Sequence, residues 1–478
     1  MKRATNRLVP LLEGAVWLCF ALGVLTAIWP AEVQSVLSVP PYLSIDGLTR
    51  VVWPYAALIT GVVLRFSSRY MAGNHRMGYF FLRCLLFLLA VLGLSATDHL
   101  LVFWVCWAFM GVIMSGLISH KIDWPQARAA GRFALRYFVV GSLFLGVGAG
   151  TLYVLTDTLV ISEALQQTYL LPEWAVALVF ACFLLAAIIQ SALFPVQDWL
   201  MSSMTAPTPA SALMHAGFVN AGGIFLTTFA PLFAKRPGFM ILLVGVGALS
   251  AFLGKTWKAV QSAVKRQLGC STVAQMGFMI LQCGLGFFSA AITHLMLHGF
   301  YKGYLFMNVG NTIDQTARSS KKTSTSSAGV LVESLMTAAL CAAVFFSITG
   351  KGLAFDSGIV LAFVVVFAVM HGTREFVNRL NQSGATRFVL LPLVALVSTA
   401  LYSIVYVGVT ALMADVPLVA SALPFNWFHG MVMGVFFVAY VVMETGLHEQ
   451  FPRLYVYVLN ASQPNPDTVV SSREEYHV

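Results

Sequence analysis

The chain has 478 residues, 59% of them hydrophobic and only 10% charged, with a mean hydropathy of +0.82. A soluble domain carries about 25% charged residues and a helix needs about 20 apolar residues to cross a bilayer, so this composition specifies a polytopic membrane protein with no room for a sizeable soluble catalytic domain. The net charge of +9 is spread singly through loops between apolar runs, with no basic stretch interleaved with aromatics, which excludes a nucleic-acid surface.

Met1 to Arg7 is basic, and the apolar run that follows lacks a small-residue cleavage site, so it is expected to be a retained first span. Apolar runs stand at 11–29, 51–66, 78–97, 99–119, 133–155, 174–194, 208–233, 238–254, 269–287, 288–313, 328–348, 357–372, 388–413 and 425–445. They predict an all-α fold of about fourteen transmembrane helices. With the N-terminus inside, one side collects Lys2, Arg3, Arg7, Arg65, Arg69, Arg76, Lys121, Arg128, Arg132, Lys255, Lys258, Lys265, Arg266, Arg318, Lys321, Lys322, Arg374, Arg379, Arg387, Arg453 and Arg473. The other side keeps only Arg50, Lys235, Arg236 and Lys351. The positive-inside rule then places both termini in the cytoplasm. The loop 314–327 and the tail 460–478 are polar and of low complexity, and are expected to be mobile surface.

The segment 195–211 interrupts an apolar region with three prolines, which neither continue a helix nor donate hydrogen bonds. Such a break marks ion sites in transporters when protein or water satisfies the freed backbone; a re-entrant cytoplasmic loop is the other reading of the same residues. The run LLVGVGALSAFLG at 242–254 is expected to be a helix-packing surface.

Ionisable groups in spanning segments are costly and face a bundle interior or water. The densest set is His294, His298 and Lys302, spaced i, i+4, i+8 and therefore forming one stripe about 12 Å long. Histidine and a desolvated lysine both exchange protons near neutral pH. Polar groups also fasten helices together, but three basic groups in line favour proton transfer. His215, just after the proline break, reads by itself as a packing or hydrogen-bonded residue. Lys351, between glycines on the charge-poor side, is either an exposed loop residue or a member of the path. Arg83 and Arg136 are expected to be interfacial anchors, and Asp46 and Asp198 loop or capping residues. The seven cysteines lie in apolar runs and never form C-x-x-C, so no disulfide framework, zinc or iron–sulfur site is expected. No nucleophilic triad, phosphate loop or metal spacing is present, so the chain is expected to be no enzyme and to hold no cofactor or metal.

The segments FPVQDWLMSSMTAPTPASALMHAG (194–217), VQSAVKRQLGCSTVAQMGFMIL (260–281) and SAAITHLMLHGFYKGYLFMNVG (289–310) resemble the antiporter-like proton-conducting family. That family includes the large chains of respiratory NADH:quinone oxidoreductase and of Mrp sodium/proton antiporters. The resemblance covers roughly residues 43–310 well and the last third poorly. It implies two inverted five-helix repeats with broken helices around a hydrated polar axis. The divisions expected are N-terminal helices at 1–97, a first repeat at 98–254, a second at 255–413, a C-terminal helix at 414–445 and a cytoplasmic tail at 446–478. His215, Lys265, His294, His298 and Lys302 match family positions along the proton path, and Lys351 joins them as a candidate.

Two positions depart from the family. Ala108 stands where the family has an acidic residue and Gln190 where it has a buried lysine, so both members of the first half-channel's ion pair are gone together. That double loss avoids leaving one buried charge unpaired. Together with the chain's size and the missing long C-terminal helix, it makes the sequence most similar to the DabB membrane subunits of two-component inorganic carbon complexes. This implies a bacterial inner-membrane protein that lets H⁺, or another cation such as Na⁺, run down its gradient. A cytoplasmic DabA-like zinc protein, resembling β-carbonic anhydrases, would use that gradient to make hydration of CO₂ to bicarbonate one-way. The alternative is an antiporter-like subunit of a respiratory, hydrogenase or Mrp assembly.

Overall fold

The computed structural model describes residues 2–29, 38–311, 328–351, 354–380, 384–419, 422–444 and 451–469. Among them the regular elements are helices, with only isolated β-bridges. In chain order they are α1 (Lys2–Ile28), α2 (Gly47–Tyr70), α3 (Met77–Ala96), α4 (Leu100–Ile118), α5 (Pro125–Thr156), the short α6 (Ile161–Gln167) and α7 (Glu173–Gln190). Then follow the short α8 (Asp198–Ser202), α9 (Thr208–Ala216), α10 (Ala221–Thr228), the short α11 (Ala230–Phe233), α12 (Pro237–Val260), α13 (Val264–Gly284) and α14 (Phe288–Met307). The last are α15 (Ala328–Thr349), α16 (Gly358–Leu380), α17 (Gly384–Leu412), α18 (Trp427–Glu444) and α19 (Pro452–Ala461).

Ten spans among the described residues, one of them the broken string 208–228, are long and apolar enough to cross a membrane; α16 and α18 contribute shorter apolar stretches. The expected fourteen therefore reduce to ten by this measure. The physical reason is visible in α13 and α14, which fall outside the ten because they carry Lys265, Arg266 and Gln275, and His294, His298 and Lys302. The polar helices are the ones enclosed by the others.

α12 and α13 are the most intimate pair. A Cβ at Gly247 would come 2.5 Å from the Leu281 backbone nitrogen, and one at Gly277 2.5 Å from that of Ala251, so the two backbones touch along the glycine run. This is the small-residue packing expected of membrane helices. Asp46 caps α2 by accepting from the Thr49 N–H at 2.8 Å. Arg50 pairs with Asp415 at 2.6 Å, tying the start of α2 to the segment after α17.

The tail needs a correction. Residues 314–327 and 470–478 lie outside the described residues, but 460–469 is built into the fold rather than loose surface: Asn460 and Ala461 end α19, and Ser462, Pro464 and Thr468 are buried. Side chains of Gln126, Ser202, Gln261 and Arg266 hold this stretch through isolated hydrogen bonds, an arrangement that leaves no periodicity in the sequence.

Candidate functional site

The broken helix follows from local chemistry. Pro207 and Pro209 open α9, and Gly217 ends it with φ −121° and ψ −63°. A 3₁₀ turn at 218–220 then leads into α10. The break frees the Ala216 carbonyl, which accepts from the Tyr55 hydroxyl at 2.5 Å and from Asn220 Nδ2 at 2.6 Å. A buried carbonyl must find such partners, and Tyr55 comes from α2, so the break is clamped from outside its own helix. Protein encloses part of the proline segment, with Trp199, Leu200 and Ser203 fully buried and Pro195 exposed, a setting that fits both readings of it.

His215 sits at the end of α9, fully buried, its ring stacked on Phe306 of α14 at 4.4 Å with neither nitrogen partnered by protein. One turn along α14, Lys302 is 1% exposed and donates from Nζ to the Leu268 carbonyl of α13 at 2.8 Å. One turn before Leu268, Lys265 donates to the Ala206 carbonyl at 3.1 Å. In the other direction His298 and His294 are stacked with centroids 5.6 Å apart, and the Nε2 of each lacks a protein partner. The structure therefore brings five of the predicted residues, Lys265, Lys302, His215, His298 and His294, into one line along α9, α13 and α14, buried at His215, His298 and Lys302 and partly open at Lys265 and His294. Buried nitrogens without protein partners are the kind of groups that ordered water satisfies.

Lys351 is not in that cluster. Its ammonium lies over the Phe287 ring at 5.3 Å, at the opposite end of α14 from Lys302, roughly 22 Å along the helix axis. Between Phe287 and His294 the same helix buries Ser289 and Thr293 completely, with Tyr406 of α17 beside Ser289. Polar groups thus run the length of α14, with Lys351 at one end and Lys302 and Lys265 at the other.

Gln190 is 2% exposed with its Nε2 unpartnered, while Ala108 is only partly buried. The interior beside them is aromatic. Phe103, Trp107, Phe183, Phe225 and Phe229 are each at most 1% exposed. Phe183 meets Phe225 and Phe229 at 5.1 and 4.7 Å, and Trp107 meets Phe225 at 5.2 Å.

Sequence reasoning missed Tyr55, whose partner is remote in the chain, Asn220, which reaches the Ala216 carbonyl one turn back, and His120. The last follows α4, is 3% exposed and packs edge-on to Phe80. Burial, with Arg83, Arg76 and Lys121 nearby, pushes its pKa down to about 4, so it is neutral at physiological pH. Arg83, expected as a snorkelling anchor, is half-buried and donates to the Gly116 carbonyl at 2.5 Å.

A family profile described as "NADH:quinone oxidoreductase/Mrp antiporter, TM" matches residues 97–388. The chain belongs to this family. Among its relatives, the probable inorganic carbon transporter subunit DabB of Bacillus subtilis is 35% identical over 59% of this chain and 56% of its own length. The probable inorganic carbon transporter subunit DabB1 of Halothiobacillus neapolitanus is 34% identical over 58% and 50%. The chain spans about half the length of these curated relatives in the matched region. A chain of the Mrp complex from Dietzia superposes with a TM-score of 0.59 at 25% identity, covering 97% of this chain and 49% of that one.

Membership in the NADH:quinone oxidoreductase/Mrp antiporter family sharpens a test of the aromatic interior. If the chain conducts protons, restoring the charged pair as Ala108→Glu with Gln190→Lys is expected to leave that flux unchanged, because the packed rings between α4, α7 and α10 leave no room for a water line. An increase in flux that persists when Lys302 is also replaced by methionine would show instead that the first half conducts once its charges return.

Proposed function

We propose that this chain is the membrane subunit of an inorganic carbon accumulation complex and conducts H⁺ down its gradient through the line Lys265, Lys302, His298, His294, with His215 against it. The observation that carries the reading is that five basic groups from three segments of the chain converge on one line, where both nitrogens of His215 and the Nε2 atoms of His294 and His298 lack protein partners. A proton relay needs groups that can take and give protons within reach of water, and a merely structural set would satisfy its own nitrogens. The DabB relatives, together with the loss of the family pair at Ala108 and Gln190, support the carbon complex over other members. Hydration of CO₂ would then belong to a DabA-like zinc partner, and this chain would act without metal or cofactor.

In this reading the chain resides in a bacterial inner membrane with both ends cytoplasmic, and the repeats comprise 98–254 and 255–413. The partner docks on the inner side, against the basic segments 120–132 and 255–268, and cross-links formed only through the outer segment 156–173 would overturn that placement. A second reading, a subunit of a respiratory or Mrp assembly, is supported by the superposition of 97% of this chain on 49% of the Mrp chain. It predicts Na⁺ exchange or redox-driven pumping in place of carbon uptake.

The deciding measurement is carbon uptake with and without a protonophore, in the wild type and in His298→Gln with Lys302→Met. Uptake should stop with the protonophore and be absent in the variant. Uptake that survives both treatments would leave a non-conducting anchor as the better description, since membrane hydrogen-bond glue contributes only about 0.6 kcal/mol per contact.

A further inference from the structure

The segment that follows α19, a turn leading into a 3₁₀ helix at Pro466–Thr468, crosses the inner end of the path as a strap. Its sequence, SQPNPDTV at 462–469, places prolines at 464 and 466, which keeps it from joining α19. Four attachments hold it. Gln261 Nε2 donates to Ser462 Oγ at 2.7 Å, and Arg266 Nη1 to Gln463 Oε1 at 2.9 Å. The Asn465 N–H donates to Ser202 Oγ at 3.1 Å, and Gln126 Nε2 to the Val469 carbonyl at 3.1 Å. Gln261 and Ser202 are 5% and 3% exposed in consequence.

The attachment points are not scattered. Gln261 and Arg266 bracket Lys265, and Ser202 lies one turn from Ala206, whose carbonyl holds the Lys265 ammonium. The strap is therefore fastened to both sides of the Lys265–Ala206 hydrogen bond. A permanent cover is best made of apolar packing, as between α12 and α13. This one buries only Ser462, Pro464 and Thr468 and is otherwise held by a few side-chain hydrogen bonds, whose net contribution is small. Contacts of this kind belong to the low-stability end of a structure, where local opening occurs without global unfolding.

We propose that residues 462–469 are a gate that closes the inner end of the ion path over Lys265, and that conduction requires its release. The proposal rests on Lys265 being the inner end of the path, and its test reads access to that lysine separately from flux. Ser202→Cys with Asn465→Cys places two thiols where the Asn465 backbone attachment now sits, so mild oxidation locks the strap. In the full-length protein in inside-out vesicles, a membrane-impermeant acylating reagent should modify Lys265, read by peptide mass spectrometry, about tenfold less after oxidation than before, because modification follows the open population. Proton flux should fall with it, and dithiothreitol should restore both.

Gln261→Ala with Ser462→Ala removes an attachment without a cross-link and should raise Lys265 modification several-fold. Cross-linked protein that is modified and conducts like the reduced form overturns the gate. So does unchanged modification in the alanine pair. Flux that is absent in every form, while modification follows the lock, leaves the gate standing and removes the conduction reading instead.

Discussion

Replacing Lys302 by methionine is expected to abolish proton flux and carbon uptake while the protein still folds and reaches the membrane. Lys302 is 1% exposed, and its ammonium donates to the Leu268 carbonyl at 2.8 Å. Methionine fills nearly the same volume without the charge, and replacing a buried charge by a well-packed apolar side chain is often neutral or stabilising. Thermal stability in detergent should therefore hold or rise. Flux should fall by about 100-fold or more, the scale on which a positioned proton donor or acceptor contributes. Gln190→Ala is the control: its Nε2 already lacks a partner, so little is lost, and flux should stay within about twofold. Equal losses in the two variants, or normal growth of the Lys302→Met strain in air, would contradict a path through α14.

The parts of this arrangement that were legible in the sequence are those written on one helix. His294, His298 and Lys302 declare themselves by spacing alone, and the glycines of 242–254 by their density in an apolar run. The proline break was equally visible, although its buried setting was not, because two of its residues' environments are supplied by α2 and α14. What stayed hidden is made between distant segments. Tyr55 meets the Ala216 carbonyl 161 positions away, and nothing in the local pattern around Tyr55 distinguishes it from other aromatic residues of a spanning helix. The strap was read as mobile because its composition is polar and its period absent, yet four hydrogen bonds to Ser202, Gln261, Arg266 and Gln126 fix it. The aromatic interior of the first half is hidden for a third reason. Phe103, Trp107, Phe183 and Phe225 are unremarkable in an apolar protein until three helices bring their rings together.

Gly299→Ala is expected to destabilise the protein more than any other single methyl addition on α14. The added Cβ would overlap the Tyr55 hydroxyl and sit 2.9 Å from the Ala216 carbonyl, so it strikes the clamp that stabilises the broken helix beside His215. Overpacking of this kind typically costs about 1–3 kcal/mol. Loss of the Tyr55 hydrogen bond to Ala216 would add about 1 kcal/mol if the ring swings away. Tyr55→Phe alone should be milder, because Asn220 Nδ2 still reaches the same carbonyl at 2.6 Å. The two substitutions touch the same atoms, so they should not add: Tyr55→Phe removes the hydroxyl that the new methyl meets and should recover part of the loss in the double variant. Thermal melts of the wild type, the two single variants and the pair measure this coupling directly. Strict additivity would mean that Tyr55 and Gly299 do not meet, and would remove the clamp from the account of how His215 is held against α14.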